Sequence, residues 1–272
     1  MRILYFGGGL GNQIFEYAFY LYLKKKFPNE KIIGYYNKNK LKEHNGLEIN
    51  KWFNVNLPHT SWYAGFICLF MYLIKKIKIT KYIDISNREF KNNKAIVINA
   101  YKFNKQYIPN NEWITFNINV DSLSLKNRQA VDLIKTSNSV FIHIRRGDYL
   151  SPKYIERFQG TCTIDYYNKA INIIKDFINS PTFFIFSDDI EWAKNNIKTY
   201  CETIYIDWNT GKNSPLDMFL MSNCKAGIIA NSTFSYWGAQ LGVPNKIITY
   251  PSKWINSNEG NPNIFNKEWI KI

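Results

Sequence analysis

A chain of 272 residues with 46% hydrophobic and 17% aromatic content can bury one large core or two modest ones, which excludes a disordered chain. Its four cysteines, Cys68, Cys162, Cys201 and Cys224, show neither Cys-x-x-Cys spacing nor a finger-spaced histidine, which argues against a zinc site and fits a reducing compartment. The net charge of +14 is uneven: residues 1–130 hold 20 Lys and Arg against 8 Asp and Glu, and residues 131–272 hold 15 against 13. The first half is therefore expected to face something anionic, such as a phospholipid surface, a polyphosphate carrier or nucleic acid, unless the excess serves solubility alone.

Arg2 to Phe6 reads as a strand and lacks the longer apolar core and small-residue cleavage site of a secretory leader, so a cytoplasmic location is expected. Gly7-Gly8-Gly9-Leu10-Gly11-Asn12-Gln13 follows, and then Phe15, Ala18, Phe19 and Tyr22 recur at helical spacing. Strand, glycine turn and helix in that order let the backbone approach a ligand and offer helix N-terminal N–H groups to an anion. Neither common nucleotide fingerprint is complete, because Asn12 stands where the last glycine of Gly-x-Gly-x-x-Gly would fall and no P-loop lysine follows.

Lys31 to Tyr36 reads as a second strand and Asn37 to Asn56 as a polar loop anchored by Trp52 and Phe53. Trp62 to Ile74 is a run of 13 residues without a charge, followed by Lys75, Lys76, Lys78 and Lys81. It is too short to span a bilayer. The segment from Trp62 to Lys81 is expected either to rest in a membrane interface or to form a buried core helix with a solvated basic end. Further strands are expected at Ala95 to Ala100 and Trp113 to Phe116, with a helix around Leu123 to Thr136. A lobe boundary is expected near residue 130, dividing residues 1–130 from 131–272.

From Ser139 the pattern becomes regular. A strand runs to His143, and a helix with the stripe Tyr166, Ala170, Ile173, Ile174 and Phe177 stops at Asn179-Ser180-Pro181. Strands follow at Thr182 to Phe186, Thr203 to Ile206, Ala226 to Ala230 and Lys246 to Tyr250. Such alternation predicts an α/β fold with parallel strands and crossover helices, a Rossmann-like half. If the strands are parallel, their polar ends share one edge, bringing Arg145 and Arg146, Asp188 and Asp189, and Ser232 to Ser235 towards one crevice. Guanidinium groups and helix N-termini suit a diphosphate, and a carboxylate suits the two donors of a guanine edge. Asp188 and Asp189 equally fit the start of the helix through Trp192, and Ser232 or Ser235 a helix cap.

Gly8-Gly9-Leu10-Gly11-Asn12-Gln13, His143-Ile144-Arg145-Arg146-Gly147-Asp148-Tyr149 and Asn231-Ser232-Thr233-Phe234-Ser235-Tyr236-Trp237-Gly238-Ala239 together resemble the family-11 glycosyltransferases, the α-1,2-fucosyltransferases. The resemblance implies a GT-B-like pair of Rossmann-type lobes with a cleft between them, and inverting transfer of L-fucose from GDP-fucose to a galactose-type 2-hydroxyl in a surface glycan precursor such as O-antigen. It implies no cofactor and no metal, in keeping with the absence of an Asp-x-Asp triplet.

By the same resemblance Arg145 contacts the β-phosphate, Arg146 supports it and His143 lies by the nucleoside. Ser232, Thr233 and Phe234 line the phosphates, Asp188 and Asp189 belong to the donor site with Asp189 on the guanine edge, and Asn12 with Gly9 and Gly11 faces the sugar. Asp148 and Glu16 are candidates for the general base, Asp148 being the one assigned to the catalytic set. Glu16 and Tyr236 stand where the family pattern carries Gln and Trp, which bears on acceptor fit. The implied acceptor is a galactose-containing oligosaccharide, lipid-linked if the enzyme sits peripherally on the inner face of the cytoplasmic membrane. A nucleic-acid binder would carry its cations along one continuous face, whereas here the basic excess and the motif arginines lie in different halves, so nucleic acid is not the expected partner. A catalytically inactive sugar-nucleotide-binding protein is the third alternative, against which stand Arg145 and Asn12.

Overall fold

The alternating apolar runs and helical stripes resolve, in the computed structural model, into two all-parallel sheets, one in each of two units. The structure describes residues 1–75, 82–110, 112–257 and 260–272. The first unit comprises Met1–Ile118 with Pro262–Ile264, and the second Asn119–Asn261 with Phe265–Ile272.

The first unit contains β1 (Arg2–Phe6), α1 (Leu10–Lys26), β2 (Ile32–Tyr36), α2 (Lys38–Lys42), α3 (Ile49–Trp52), α4 (Ala64–Lys75), β3 (Ile83–Asp84) and β4 (Val97–Asn99). Its sheet has the order β2-β1-β4-β3. The buried strand β1 is central because Ile3, Leu4 and Phe6 leave it nothing polar to show to solvent. The stretch expected to be a loop at 37–56 in fact carries α2, whose start the Asn37 side chain caps by accepting from Lys40 N–H at 2.9 Å, and α3. The strand expected at 113–116 is reduced to one antiparallel bridge, Phe53 to Phe116, whose rings lie 4.5 Å apart. Packing against an aromatic anchor has replaced sheet pairing there. A buried ion pair, Lys102 Nζ to Asp84 Oδ1 at 2.8 Å, is tolerated because Asp84 also accepts from the N–H groups of Ser86, Lys91 and Asn92.

The second unit contains α5 (Leu125–Thr136), β5 (Ser139–Ile144), α6 (Ile155–Phe158), α7 (Ile164–Phe177), β6 (Thr182–Ser187), α8 (Ile190–Asn196), β7 (Thr203–Ile206), α9 (Pro215–Asn223), β8 (Ala226–Ile228), α10 (Thr233–Gln240), β9 (Ile247–Tyr250) and β10 (Ile270–Lys271). The change of unit falls between Ile118 and Asn119, ahead of the 130/131 division read from the sequence, because α5 packs on β5 and α9. The sheet order is β10-β9-β8-β5-β6-β7. The chain thus builds outward from β5 through β6 and β7, then returns to the other side of β5 with β8, β9 and β10. The switch point lies between β5 and β8, where ligands bind beyond the carboxyl ends of the strands in open α/β sheets.

All six residues of β5 are buried. Helix α7, capped by Thr163 accepting from Tyr166 N–H at 3.2 Å, lays Tyr166, Tyr167, Ala170, Ile171 and Ile174 against this sheet. Two of its tyrosines reach through the core to the ends of the switch-point strands: Tyr167 donates to the His143 carbonyl at 3.1 Å and Tyr166 to the Ile229 carbonyl at 2.6 Å. Tyr166→Phe keeps the ring and strands the Ile229 carbonyl, so a loss of about 1–2 kcal/mol is expected in urea denaturation. An unchanged midpoint would show that the bond does not hold the strand end.

Candidate active site

Strand β5 ends at Ile144, and the chain leaves it as Arg145-Arg146-Gly147-Asp148, entering a single helical turn at Asp148–Leu150. The neighbouring strand β6 ends at Ser187, and Asp188 reaches across to hold that loop. Its Oδ1 accepts from Arg146 N–H at 2.8 Å, and its Oδ2 lies 3.1 Å from Arg145 Nη1. Glycine at 147 is needed for this approach, since a Cβ there would lie 2.9 Å from Asp188 Oδ2. On its other side Arg145 Nη2 lies 2.9 Å from Asp148 Oδ1, an oxygen that has no hydrogen-bond partner of good geometry. The guanidinium is therefore flanked by two carboxylates, one anchored by a backbone N–H and one held by charge alone.

Arg146 is more firmly committed. Its guanidinium lies 3.9 Å over the Trp192 ring, and Nε is 3.2 Å from Asp189 Oδ2. Asp189 meanwhile caps α8 by accepting from Trp192 N–H through Oδ1 at 3.2 Å, as its position before a helix suggested. Two guanidinium groups and three carboxylates thus form one cluster.

The third polar set meets this cluster from β8. Tyr149 donates to the Asn231 carbonyl at 3.1 Å, and the His143 and Phe234 rings lie 5.8 Å apart. Ser232 caps α10, its Oγ accepting from Phe234 N–H at 3.3 Å, while Ser235 is buried and donates to the Ala230 carbonyl at 3.3 Å. Thr233 opens the helix. His143 is buried with Nδ1 unpartnered, and burial together with the neighbouring Arg145 charge holds its imidazole down to about 3. It is a neutral ring at physiological pH.

Gly9, Gly11 and Asn12 belong to the first unit, at the start of α1, which Gly9 precedes without a side-chain cap. Gly8 adopts φ +77°, and a Cβ there would lie 2.7 Å from Asn12 Nδ2 and 2.9 Å from the Tyr101 hydroxyl. The turn is fixed from beneath. Both Glu16 oxygens face Gly7 N–H, at 3.0 and 3.2 Å, and the carboxyl is fully buried, so Glu16 is a clamp on the turn and not an accessible base. Gln13 donates to the Gly8 and Gly46 carbonyls at 2.9 Å and accepts from Glu48 N–H at 2.9 Å and Ile49 N–H at 3.1 Å, so one amide joins the turn to the start of α3.

The structure thus brings His143, Arg145, Arg146, Asp148, Asp188, Asp189, Ser232, Thr233 and Phe234 to one edge of one sheet. Sequence reasoning missed Trp192 and Tyr149, although each lies within or just after a motif it singled out. Tyr149 stacks on Phe158 at 3.9 Å and ties the β5 loop to the end of β8. Among the described residues no three His, Cys, Asp or Glu side chains are grouped so as to hold a metal ion.

The sequence matches Glycosyl transferase family 11 over residues 3–272. It is 31% identical over 293 residues to the Alpha-1,2-colitosyltransferase of Escherichia coli, covering 97% of this chain and 96% of that protein. A further Escherichia coli relative, the O-antigen biosynthesis glycosyltransferase WbnK, is 40% identical over 147 residues, 53% of this chain and 49% of its own length, so this match spans about half of each protein. The two-sheet architecture is that of GT-B glycosyltransferases: Arabidopsis thaliana FUT1, solved in complex with GDP, matches with a TM-score of 0.53 at 12% identity, over 96% of this chain and 72% of that one.

Burial pushes the Glu16 carboxyl well above its usual range, with the Gly7 N–H bond opposing. A raised carboxyl contributes stability that is complete below the unfolded value and is lost as pH rises towards the folded one. Glu16→Gln copies the protonated shape without titrating. Relative to wild type the variant should gain about 1.4 kcal/mol per pH unit above about 4.5, until the buried carboxyl ionises. Parallel wild-type and variant stabilities in denaturant at pH 5 and pH 8 would refute this.

Proposed function

Because the chain belongs to glycosyl transferase family 11, the α-1,2-fucosyltransferase family, we propose that it moves L-fucose from GDP-fucose, with inversion, to the 2-hydroxyl of a galactose-type residue in a surface glycan precursor such as an O-antigen unit. The observation that carries this proposal is the state of Arg145 at the switch point. Its contact with Asp148 lacks hydrogen-bond geometry, so a diphosphate can replace that carboxylate while Asp188 keeps the guanidinium aimed.

Arg146, stacked on Trp192 and paired with Asp189, adds supporting charge. The N-terminus of α10, with Ser232, Thr233 and Phe234, is assigned to the phosphates, where the helix dipole favours negative charge. The unpartnered Nδ1 of neutral His143 is assigned to the nucleoside. Asp189 retains lone pairs for guanine beside its two existing bonds. In the first unit Gly9, Gly11 and Asn12 are assigned to the sugar.

As the bond from the sugar C1 to the β-phosphate oxygen breaks, its electron pair leaves with GDP, and Arg145 neutralises the growing charge. The acceptor oxygen bonds C1 from the opposite face, and its proton passes to a carboxylate. Asp148, freed from Arg145, is that carboxylate in this mechanism. The charge stabilisation comes from arginine and backbone donors, so transfer is assigned as metal-independent. The acceptor is a galactose-containing oligosaccharide on a lipid carrier, and nucleic acid is not a partner.

Colitose is the second choice of donor sugar, favoured by the full-length similarity to a protein named for that activity. A panel of sugar nucleotides that includes both donors, read against a set of galactosides, decides between them. Arg145→Ala should lose about 100- to 1000-fold in kcat, or about 2.7–4 kcal/mol of transition-state stabilisation, with the fold retained by circular dichroism. Near-normal turnover in that variant would sink the assignment, and activity abolished by a chelator and restored by Mg²⁺ would overturn the metal-free step.

A further inference from the structure

Helix α4 has two apolar faces and buries one of them. Ala64, Cys68 and Met71 pack on the first sheet with Ile3, Ile33, Ile83 and Val97. On the outer side Trp62 is 85% exposed, Phe66 69%, Leu69 62% and Phe70 61%, and Tyr72 and Leu73 are also exposed. Positions 66, 69, 70 and 73 of α4 are three or four apart, and the Trp62 ring, just before the helix, lies 6.3 Å from that of Phe66, so these residues form one stripe and not scattered surface residues. A buried core helix accounts for the inner face alone. A contiguous apolar stripe in water marks an interaction surface.

The charge around the stripe selects its occupant. From Ile49 to Ile83 there is no Asp or Glu, and there are five lysines, Lys51, Lys75, Lys76, Lys78 and Lys81. Of these, Lys76, Lys78 and Lys81 lie outside the described residues. A second copy docking through the same patch about a two-fold axis would bring like lysines together with no nearby carboxylate to offset them. An anionic bilayer meets both requirements: rings and leucines enter the acyl boundary, and a stretch of sequence with five lysines and no carboxylate favours anionic headgroups. Trp62 and Tyr72 suit the interfacial level. The 12 residues of α4 rise about 18 Å, short of a hydrocarbon core of about 30 Å. Among the described residues no helix is long and apolar enough to cross a membrane.

We propose that α4 docks this protein on an anionic lipid bilayer, with the stripe Trp62, Phe66, Leu69, Phe70 and Leu73 set into the interface and the helix axis along the membrane plane. This stands on the helix face and its charge, and does not depend on the donor or acceptor assigned above. The test is co-sedimentation of the full chain with vesicles of phosphatidylcholine, alone or mixed with phosphatidylglycerol. Two variants accompany it, Phe66→Ser with Phe70→Ser, and Lys75→Gln with Lys76→Gln and Lys78→Gln.

Wild type should sediment with the anionic vesicles and weakly with the neutral ones. Binding should fall by about tenfold or more in the serine pair, and by roughly fivefold per lysine removed. Because Phe66 and Phe70 are exposed, the thermal midpoint of the serine pair should stay at the wild-type value. Turnover of GDP-fucose without vesicles, measured on the same samples, separates failure of this surface from failure of the transfer chemistry. Three outcomes would overturn the proposal: wild type remaining in the supernatant with every vesicle, a serine pair that binds as wild type does, or a wild-type dimer in sedimentation velocity that the serine pair dissociates.

Discussion

At the carboxyl end of β5 a guanidinium stands between two carboxylates that hold it unequally. Asp188 is fixed, because its Oδ1 accepts the Arg146 N–H and its Oδ2 packs against the bare backbone of Gly147. Asp148 offers charge at 2.9 Å without hydrogen-bond geometry. Both pairs are partly exposed, and contacts of that kind are worth about 0–1 kcal/mol each. A charge-assisted hydrogen bond to a phosphate oxygen is worth about 1.5–3 kcal/mol. The proposed exchange of Asp148 for a diphosphate is therefore favourable, whereas loss of Asp188 would free the whole loop. The site is neutralised at rest and directional when a ligand arrives.

Such a site needs strand ends that do not move. Arg145 begins one residue beyond a strand buried throughout its length, and the carbonyl two residues before it is held by Tyr167. The start of α10 follows the end of β8, where Tyr166 holds the Ile229 carbonyl and Tyr149 that of Asn231. Three tyrosine hydroxyls thus fix both sides of the switch point from the core outward. Each contributes about 1 kcal/mol to stability. Their larger effect is positional, since a polar loop is only as well placed as the strand that carries it.

The central strands of the second unit were legible in the sequence because parallel strands covered on both faces read as unbroken apolar runs, and β5 and β6 are such runs. The polar residues that end them were legible for the same reason, as abrupt departures from the run. What was not legible depends on distant partners. Gln13 joins the glycine turn to α3 across 36 residues of chain, which no local pattern records. Glu16 sits within a helical stripe, where a carboxylate reads as solvent-facing, yet it is fully buried beneath Gly7. Trp113 to Phe116 had strand composition, but Phe116 found Phe53 instead of a sheet edge. For α4 the uncharged run gave the helix without telling how much of it would be covered.

The uneven charge of the chain takes on a different meaning once the site is drawn. An excess of cations invites assignment to an anionic substrate, but the arginines at the end of β5 are outnumbered three to two by the carboxylates that surround them. Long-range attraction of a diphosphate is therefore not what these arginines supply. They act at contact distance, through geometry. The uncompensated lysines lie in the other half of the chain, in the stretch from Ile49 to Ile83 that has no carboxylate and that contains the exposed stripe of α4. Attraction over roughly a Debye length, about 8–10 Å at physiological salt, is useful to a protein approaching a charged plane. It is of little use to a loop whose charges are already paired. In the transfer and the docking proposed above, the two kinds of positive charge are separated in sequence because they do different physical work, one aiming a leaving group and the other drawing the chain to a surface.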